Sequence, residues 1–257
     1  MKSTPQTQLC SYGVDAIRYR EEDLVEDLLG KKSFVEVFIG QALGRNLDSA
    51  QMALVDAVLV VLMEHGMTPS AISARLVYAS SPENIQSGVA AGLLAVGSQF
   101  VGTMEQAAVL LAEIASSDDG QDRAAALATE YRQRKEPVPG FGHHLHRPDD
   151  PRAVKLLALA SEHGVAGRQC DALVLLAREV DRAAGRHITI NATGAVAAIL
   201  GDLGIPPRLM RGFAVLSRAA GLVSHLAEEQ QAPAGRFIWS LVDDAMTQPL
   251  THSTKQK

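Results

Sequence analysis

From Met52 to Met63 only Asp56 interrupts a run of apolar side chains. A stretch that is apolar nearly all round suits a helix packed on every side. The pattern therefore predicts a central buried helix over Asp48–His65, capped by Asp48 and closed by Gly66. Elsewhere Ala, Leu and Val return at the three-to-four-residue spacing of a helix face. That spacing predicts helices over Glu22–Leu29, Ser33–Leu43, Ser70–Ala79, Pro82–Val96, Met104–Ser116 and Asp122–Lys135. It resumes over Pro151–His163, Gln169–Ala184, Asn191–Leu203 and Pro207–Gln230, with a last short helix over Phe237–Met246. Tyr12–Arg20 reads as a short extended or irregular segment, and Met1–Ser11 and Thr247–Lys257 read as loose ends. Phe237 and Trp239 are expected to pack. With Gly and Pro as punctuation and no alternating strand pattern, the expected fold class is all-α.

The chain has 257 residues, enough for one large or two modest domains, and its 47% of apolar residues can bury a sizeable core. A net charge of -5 with no basic block argues against a nucleic-acid partner. Met1–Ser11 has no apolar stretch, so no signal peptide is expected. The uncharged run Ser87–Met104 is interrupted by Ser98, Gln99 and Thr103 and reads as a buried helix and turn, not a membrane span. Cys10 and Cys170 give neither a disulfide framework nor a zinc spacing. A cytoplasmic protein is expected.

The densest chemistry lies between Pro137 and Arg152. Pro137, Pro139, Gly140 and Gly142 rule out a helix interior and predict a fixed loop. His143, His144 and His146 follow, then Arg147 and Arg152. Pro151 suits the first position of a helix capped by Asp150, which places Arg152 in its first turn. Imidazoles exchange protons near neutral pH, and guanidinium matches carboxylate or phosphate. Together they suit acid–base chemistry on an anionic substrate. A surface loop with a chance histidine cluster is the plainer reading of the same residues.

Pro139-Gly140-Phe141-Gly142-His143 followed by Asp150-Pro151-Arg152 resembles a signature of the citrate synthase superfamily. Glu64-His65-Gly66 with Ala74-Arg75 is similar to its first histidine segment, and Ser217-Arg218-Ala219-Ala220-Gly221 to its C-terminal arginine helix. Tyr19-Arg20, Leu24–Leu28 and Ser33–Glu36 resemble its N-terminal segment. The likeness follows family order across nearly the whole chain. It implies an all-α, citrate synthase-like fold in which residues 1–104 and 203–257 form a large helical domain and 105–202 an inserted smaller one. It also implies a homodimer or a multiple of dimers, with an active site that makes or breaks a carbon–carbon bond between an acyl-CoA and a keto acid.

By the same resemblance, His65 binds the keto acid or citryl group, and His143 polarises or protonates the reacting carbonyl oxygen. Arg152 and Arg218 bind substrate carboxylates, and Arg236 stands where a partner-subunit arginine is expected. Pro139, Gly140, Phe141, Gly142 and Arg147 match the coenzyme A loop. Coenzyme A enters as part of the substrate, with no metal or redox cofactor implied. Two positions depart from the family pattern. Phe100 stands at a synthase histidine, as in the citryl-CoA lyase branch. The family's Asn-Val-Asp supplies a catalytic carboxylate, where this chain offers Asn191, or Ile190 without a gap. Neither accepts a proton, which leaves His143 as the proton acceptor and Asn191 as a donor to an enolate. The implied activity is retro-Claisen cleavage of citryl-CoA, or a related 3-hydroxy-3-carboxyacyl-CoA, to acetyl-CoA and oxaloacetate. A condensing synthase and a non-catalytic CoA- or carboxylate-binding paralogue are the alternatives.

Overall fold

A computed structural model describes residues 4–97 and 102–247. Phe100 lies outside the described residues. Among the described residues the regular structure is helical apart from a three-stranded antiparallel sheet near the start. Its strands are β1 (Cys10–Tyr12), β2 (Ile17–Tyr19) and β3 (Glu22–Asp23), with Cys10 opposite Tyr19 and Arg18 opposite Asp23. The expected helix over Glu22–Leu29 shrinks to one wide turn, Leu24–Leu28, because Glu22 and Asp23 belong to the sheet.

Two compact units make up the chain. The first joins Met1–Val61 with Thr103–Met210, and the second joins Leu62–Gly102 with Arg211–Lys257. Residues 105–202, expected as the smaller domain, fall inside the first unit.

The first unit contains α1 (Phe34–Leu43) and most of α2 (Ser49–Met63), then α5 (Thr103–Ser116), α6 (Gly120–Arg134), α7 (Pro151–Glu162), α8 (Arg168–Ala184) and α9 (Ala192–Asp202). Ser33 and Glu36 start α1 with a reciprocal capping box. Helix α9 is the hub and packs against α5, α7 and α8. Its residues from Gly194 to Leu200 are all buried, as its run of small apolar side chains predicts. The neighbours present apolar stripes to it, such as Cys170, Leu173, Leu176 and Val180 on α8.

Helix α2 departs from expectation. Leu54, Val55, Val58 and Leu59 are buried, but Ala53 and Asp56 are exposed and Val60 is 66% exposed. Among the described residues, only one face of the helix is covered. Ala57, Val60 and Val61 instead line an open apolar cavity of about 400 Å³ with Leu156 and Leu159 of α7.

The second unit is built on α3 (Pro69–Ser80), α4 (Ile85–Leu94), most of α10 (Pro207–Gln231) and α11 (Gly235–Met246). Ala74, Tyr78, Leu222 and Leu226 form its core, with Val89 and Leu93 against them. The helices approach closely at Gly92, where a Cβ would come within 2.6 Å of Leu222 Cδ1. Helix α11 packs on α3 through Gly235. Beyond it Ile238 is half-buried, but Phe237 is 67% and Trp239 69% exposed, so neither packs as expected. Among the described residues no helix is long and apolar enough to cross a membrane.

Candidate active site

The loop from Pro137 to Asp150 is fastened to the start of α9 by backbone as well as side chains. Gly142 N–H donates to Thr189 C=O (2.7 Å), and Asn191 N–H donates to Gly140 C=O (3.0 Å). Phe141 pairs with Ile190 in an isolated bridge and is buried. Thr189 Oγ1 donates to Pro148 C=O. The loop and helix touch at two glycines. A Cβ on Gly194 would lie 2.5 Å from the Gly140 oxygen, and Gly140 itself has φ +87°, a conformation that favours glycine.

This clasp sets His143. Its Nδ1 accepts two backbone N–H groups of its own loop, from Leu145 (3.1 Å) and His146 (2.9 Å). The His144 and His146 rings stack against it, with centroids 4.6 and 4.4 Å away. Arg152 Nη2 lies 3.3 Å from Nε2. Burial, then the neighbouring His146, Arg152 and His144, hold His143 below the ordinary histidine value against the opposing pull of Asp150. His143 is thus a neutral imidazole at neutral pH. The backbone pair at Nδ1 favours a proton on Nε2, whereas the guanidinium beside Nε2 favours a lone pair there.

Arg152 is positioned by Asp150, the cap of α7, as the sequence predicts. Asp150 is fully buried. Arg152 Nε and Nη2 grip its two oxygens at 3.0 and 2.8 Å. The same oxygens accept the backbone N–H of Arg152 (3.0 Å) and of Ala192 (3.2 Å). Burial alone would raise the Asp150 carboxyl, but the Arg152 bonds and charge outweigh it and hold the carboxyl below its usual value. The ligand atoms of His143, His146 and Asp150 lie within 4.8 Å of one another, a spacing that could hold a metal ion. All four Asp150 bonds go to N–H donors, so a metal there would have to displace the Arg152 guanidinium.

Asn191 is the N-cap of α9. Its Oδ1 accepts from Gly194 N–H (3.1 Å) and from Thr193 Oγ1 (2.7 Å), and its Nδ2 donates to Gly142 C=O (3.0 Å). Thr193 carries no motif of its own and is not among the expected site residues. The Thr193 hydroxyl lies 3.2 Å from that of Thr103. Pro139 and Gly140 are buried in the loop, and Arg147 is exposed.

Three expected site residues belong to the second unit. His65 is exposed just beyond α2, and its N–H donates to Glu64 Oε1 (2.8 Å). Arg218 on α10 is 8% exposed, and its Nη1 is buried with no hydrogen-bond partner among the described residues. Burial lowers the Arg218 pKa and the Glu64 charge partly offsets this. Arg236 is exposed on α11.

Residues 7–239 match the family described as citrate synthase, C-terminal domain. The chain belongs to the citrate synthase family of enzymes. It is similar to the structure of citryl-CoA lyase from Hydrogenobacter thermophilus, with 30% identity and a TM-score of 0.85, covering 99% of this chain and 97% of that one. The fold is shared with an ATP citrate lyase from Methanothrix soehngenii in complex with citrate and coenzyme A. That likeness has 17% identity and a TM-score of 0.79, and covers 100% of this chain and 44% of that one. Among curated relatives, a citrate synthase of Acidithiobacillus ferridurans is 27% identical over 202 residues, 75% of this chain and 50% of that protein. The chain spans about half the length of the curated relatives it matches.

Proposed function

We propose that this protein is a citryl-CoA lyase-like enzyme that cleaves citryl-CoA, or a related 3-hydroxy-3-carboxyacyl-CoA, to acetyl-CoA and oxaloacetate. The observation that carries the reading is the His143–Asp150–Arg152 cluster, in a chain that matches a citryl-CoA lyase over almost all of both lengths. In the proposed cleavage the tertiary hydroxyl gives its proton to His143 Nε2. The keto-acid carbonyl forms as the carbon–carbon bond breaks. The electron pair of that bond passes into the thioester enolate, which takes up a proton from water to become acetyl-CoA while His143 gives its own back to water. Accepting at Nε2 uses the tautomer with its proton on Nδ1, which the Arg152 guanidinium beside Nε2 favours and the backbone N–H groups at Nδ1 oppose; in the reverse direction the imidazolium so formed returns the proton from Nε2. One imidazole therefore serves both directions.

Arg152 and the buried Arg218 are proposed to grip substrate carboxylates, and His65 the citryl or keto-acid oxygens. Pro139–Gly142 and Arg147 are proposed to meet the coenzyme A portion. Release of oxaloacetate from citryl-CoA tests the activity, and no release would exclude it. Faster citryl-CoA formation from acetyl-CoA and oxaloacetate than cleavage would favour a synthase. Binding without turnover would favour a sensor.

Arg152→Lys keeps the charge and loses the two-pronged grip. It should weaken citrate binding by roughly 1–3 kcal/mol, the scale of a hydrogen bond to a charged group. Unchanged affinity in calorimetric titration would remove Arg152 from the binding site. The proposal includes a homodimer, supported by the exposed apolar residues Val60, Phe237 and Trp239. Sedimentation at micromolar concentration should give twice the chain mass of 27.3 kDa, and a monomer would refute this part.

A further inference from the structure

Outside the His143 cluster, the second unit contains a chain of polar groups running from α3 across α10 to the end of α2. Arg75 is 2% exposed, and its Nε and Nη2 lie 3.1 and 2.9 Å from His225 Nδ1. A guanidinium only donates, so Nδ1 is an acceptor and the neutral ring carries its proton on Nε2. That nitrogen lies 2.9 Å from Glu64 Oε2, close enough for an ion pair, although its geometry there makes no hydrogen bond and it has no other hydrogen-bond partner among the described residues. The other oxygen of Glu64 accepts the backbone N–H of His65 (2.8 Å) and of Gly66. Burial raises the Glu64 carboxyl, but the adjacent His225 and the backbone N–H groups of Gly66 and His65 outweigh it and hold the carboxyl below its usual value.

Helix α10 is shaped for this approach. Arg218, Gly221, Leu222 and His225 follow one another at three- and four-residue spacing and so share one helical face. A Cβ on Gly221 would overlap the Met63 carbonyl oxygen and lie 3.4 Å from Glu64 Oε2. Arg218 is buried on that face, its Nη1 has no partner among the described residues, and the Glu64 charge favours its cation.

Arg75 does not need His225 for charge balance. Its Nη1 pairs with Glu229 (2.8 Å), which is 4% exposed, and its Nη2 pairs with Glu228. Glu229 also accepts the N–H groups of Ala234 and Gly235 and so fixes the turn into α11. That part of the network is structural. The branch through His225 leads away from it, to the backbone of His65 and the neighbourhood of Arg218.

We infer that His225 is a positioning residue, oriented by Arg75, that holds Glu64 so that the His65 backbone and the Arg218 guanidinium are set for an anionic ligand. The inference rests on the substrate roles proposed above for His65 and Arg218. His225→Phe keeps a ring and loses both polar links. It should weaken citrate binding, measured by calorimetry, by roughly 10- to 100-fold, the range of one hydrogen bond to a charged group. His225→Gln, which can still donate to Glu64, should recover most of that loss. Glu228→Gln, at the structural end, should bind citrate as the wild type does. Citrate binding by His225→Phe at wild-type strength would overturn the inference.

A second measurement needs no ligand. Amide hydrogen exchange at His65 and Gly66 should quicken about tenfold in His225→Phe, as expected when a polar contact that holds the segment is lost. If the wild type neither binds citrate nor cleaves citryl-CoA, the lyase reading fails, and quickened exchange still supports the positioning role. Unchanged exchange overturns the inference in either case. Should His225→Phe fail to fold, Glu64→Ala carries the same two measurements, with the same weakened binding and quickened exchange expected and unchanged values overturning the inference.

Discussion

Replacing His143 by alanine is expected to lower citryl-CoA cleavage by roughly 10²–10⁴-fold, the scale of general acid–base catalysis, with helix content unchanged by circular dichroism. Of His143, Asp150, Arg152 and Asn191, only the imidazole can both accept and donate a proton near neutral pH. Asp150 is buried under four N–H donors, and Asn191 spends its amide on capping α9 and tying down Gly142. The pH profile gives the prediction a second edge. Only the neutral ring accepts the hydroxyl proton, so activity falls as acid protonates it. Because burial and the flanking His146, Arg152 and His144 depress its pKa, the acid limb should lie below the ordinary value of 6.5. His146→Ala removes one depressing neighbour, so the limb should move upward towards that value. A limb that stays in place would show that the stacked rings do not tune His143. An alanine variant as active as the wild type would move the chemistry elsewhere.

The largest loss of stability is expected from Asp150→Ala. The carboxylate is fully buried and joins the Arg152 side chain, the first turn of α7 and the start of α9. Removing it leaves a partly buried guanidinium and two backbone N–H groups without their acceptor. Breaking a buried pair by deleting one partner destabilises by about 3–5 kcal/mol, readable as a shift in the urea midpoint. The sign with pH follows from the depressed folded-state pKa. The carboxylate contributes its stability above the ordinary value of 3.8 and loses it as pH falls through the lower folded value. Wild type and variant should therefore converge in acid. A variant of wild-type stability at neutral pH would mean that Arg152 finds another partner.

The helices were legible because local signals and packing agree. Ser33 with Glu36, Asp150 with Pro151, and the glycines after α1 and α8 mark ends that the structure keeps. The small sheet was not legible, because β1 is exposed throughout and its strands are two or three residues long, too short for a two-residue alternation to emerge. Helix α2 and the Phe237–Trp239 face misled for a related reason. Apolar patterning records that a surface is to be covered, and does not record whether the covering comes from the same chain.

The loop around His143 announced itself through its prolines, glycines and histidines. The buried anchor at Asp150 looked like a helix cap alone, since the bonds to Ala192 and Arg152 depend on a fold that brings α9 to α7. Thr193 was not legible, because its contact with Thr103 depends on the packing of α5 against α9. Arg75 and His225 were not either, since 150 positions separate them and neither sits in a motif that names the other.

The exposed face of α11 has one more consequence. Trp239 is the only tryptophan of the sequence, and it stands 69% open to solvent. Its fluorescence therefore already has nearly the surroundings of an unfolded chain. Denaturation should alter its emission colour little, whereas anything that settles on α11 should shift it to the blue. The indole is an intrinsic dye for association and a poor one for melting.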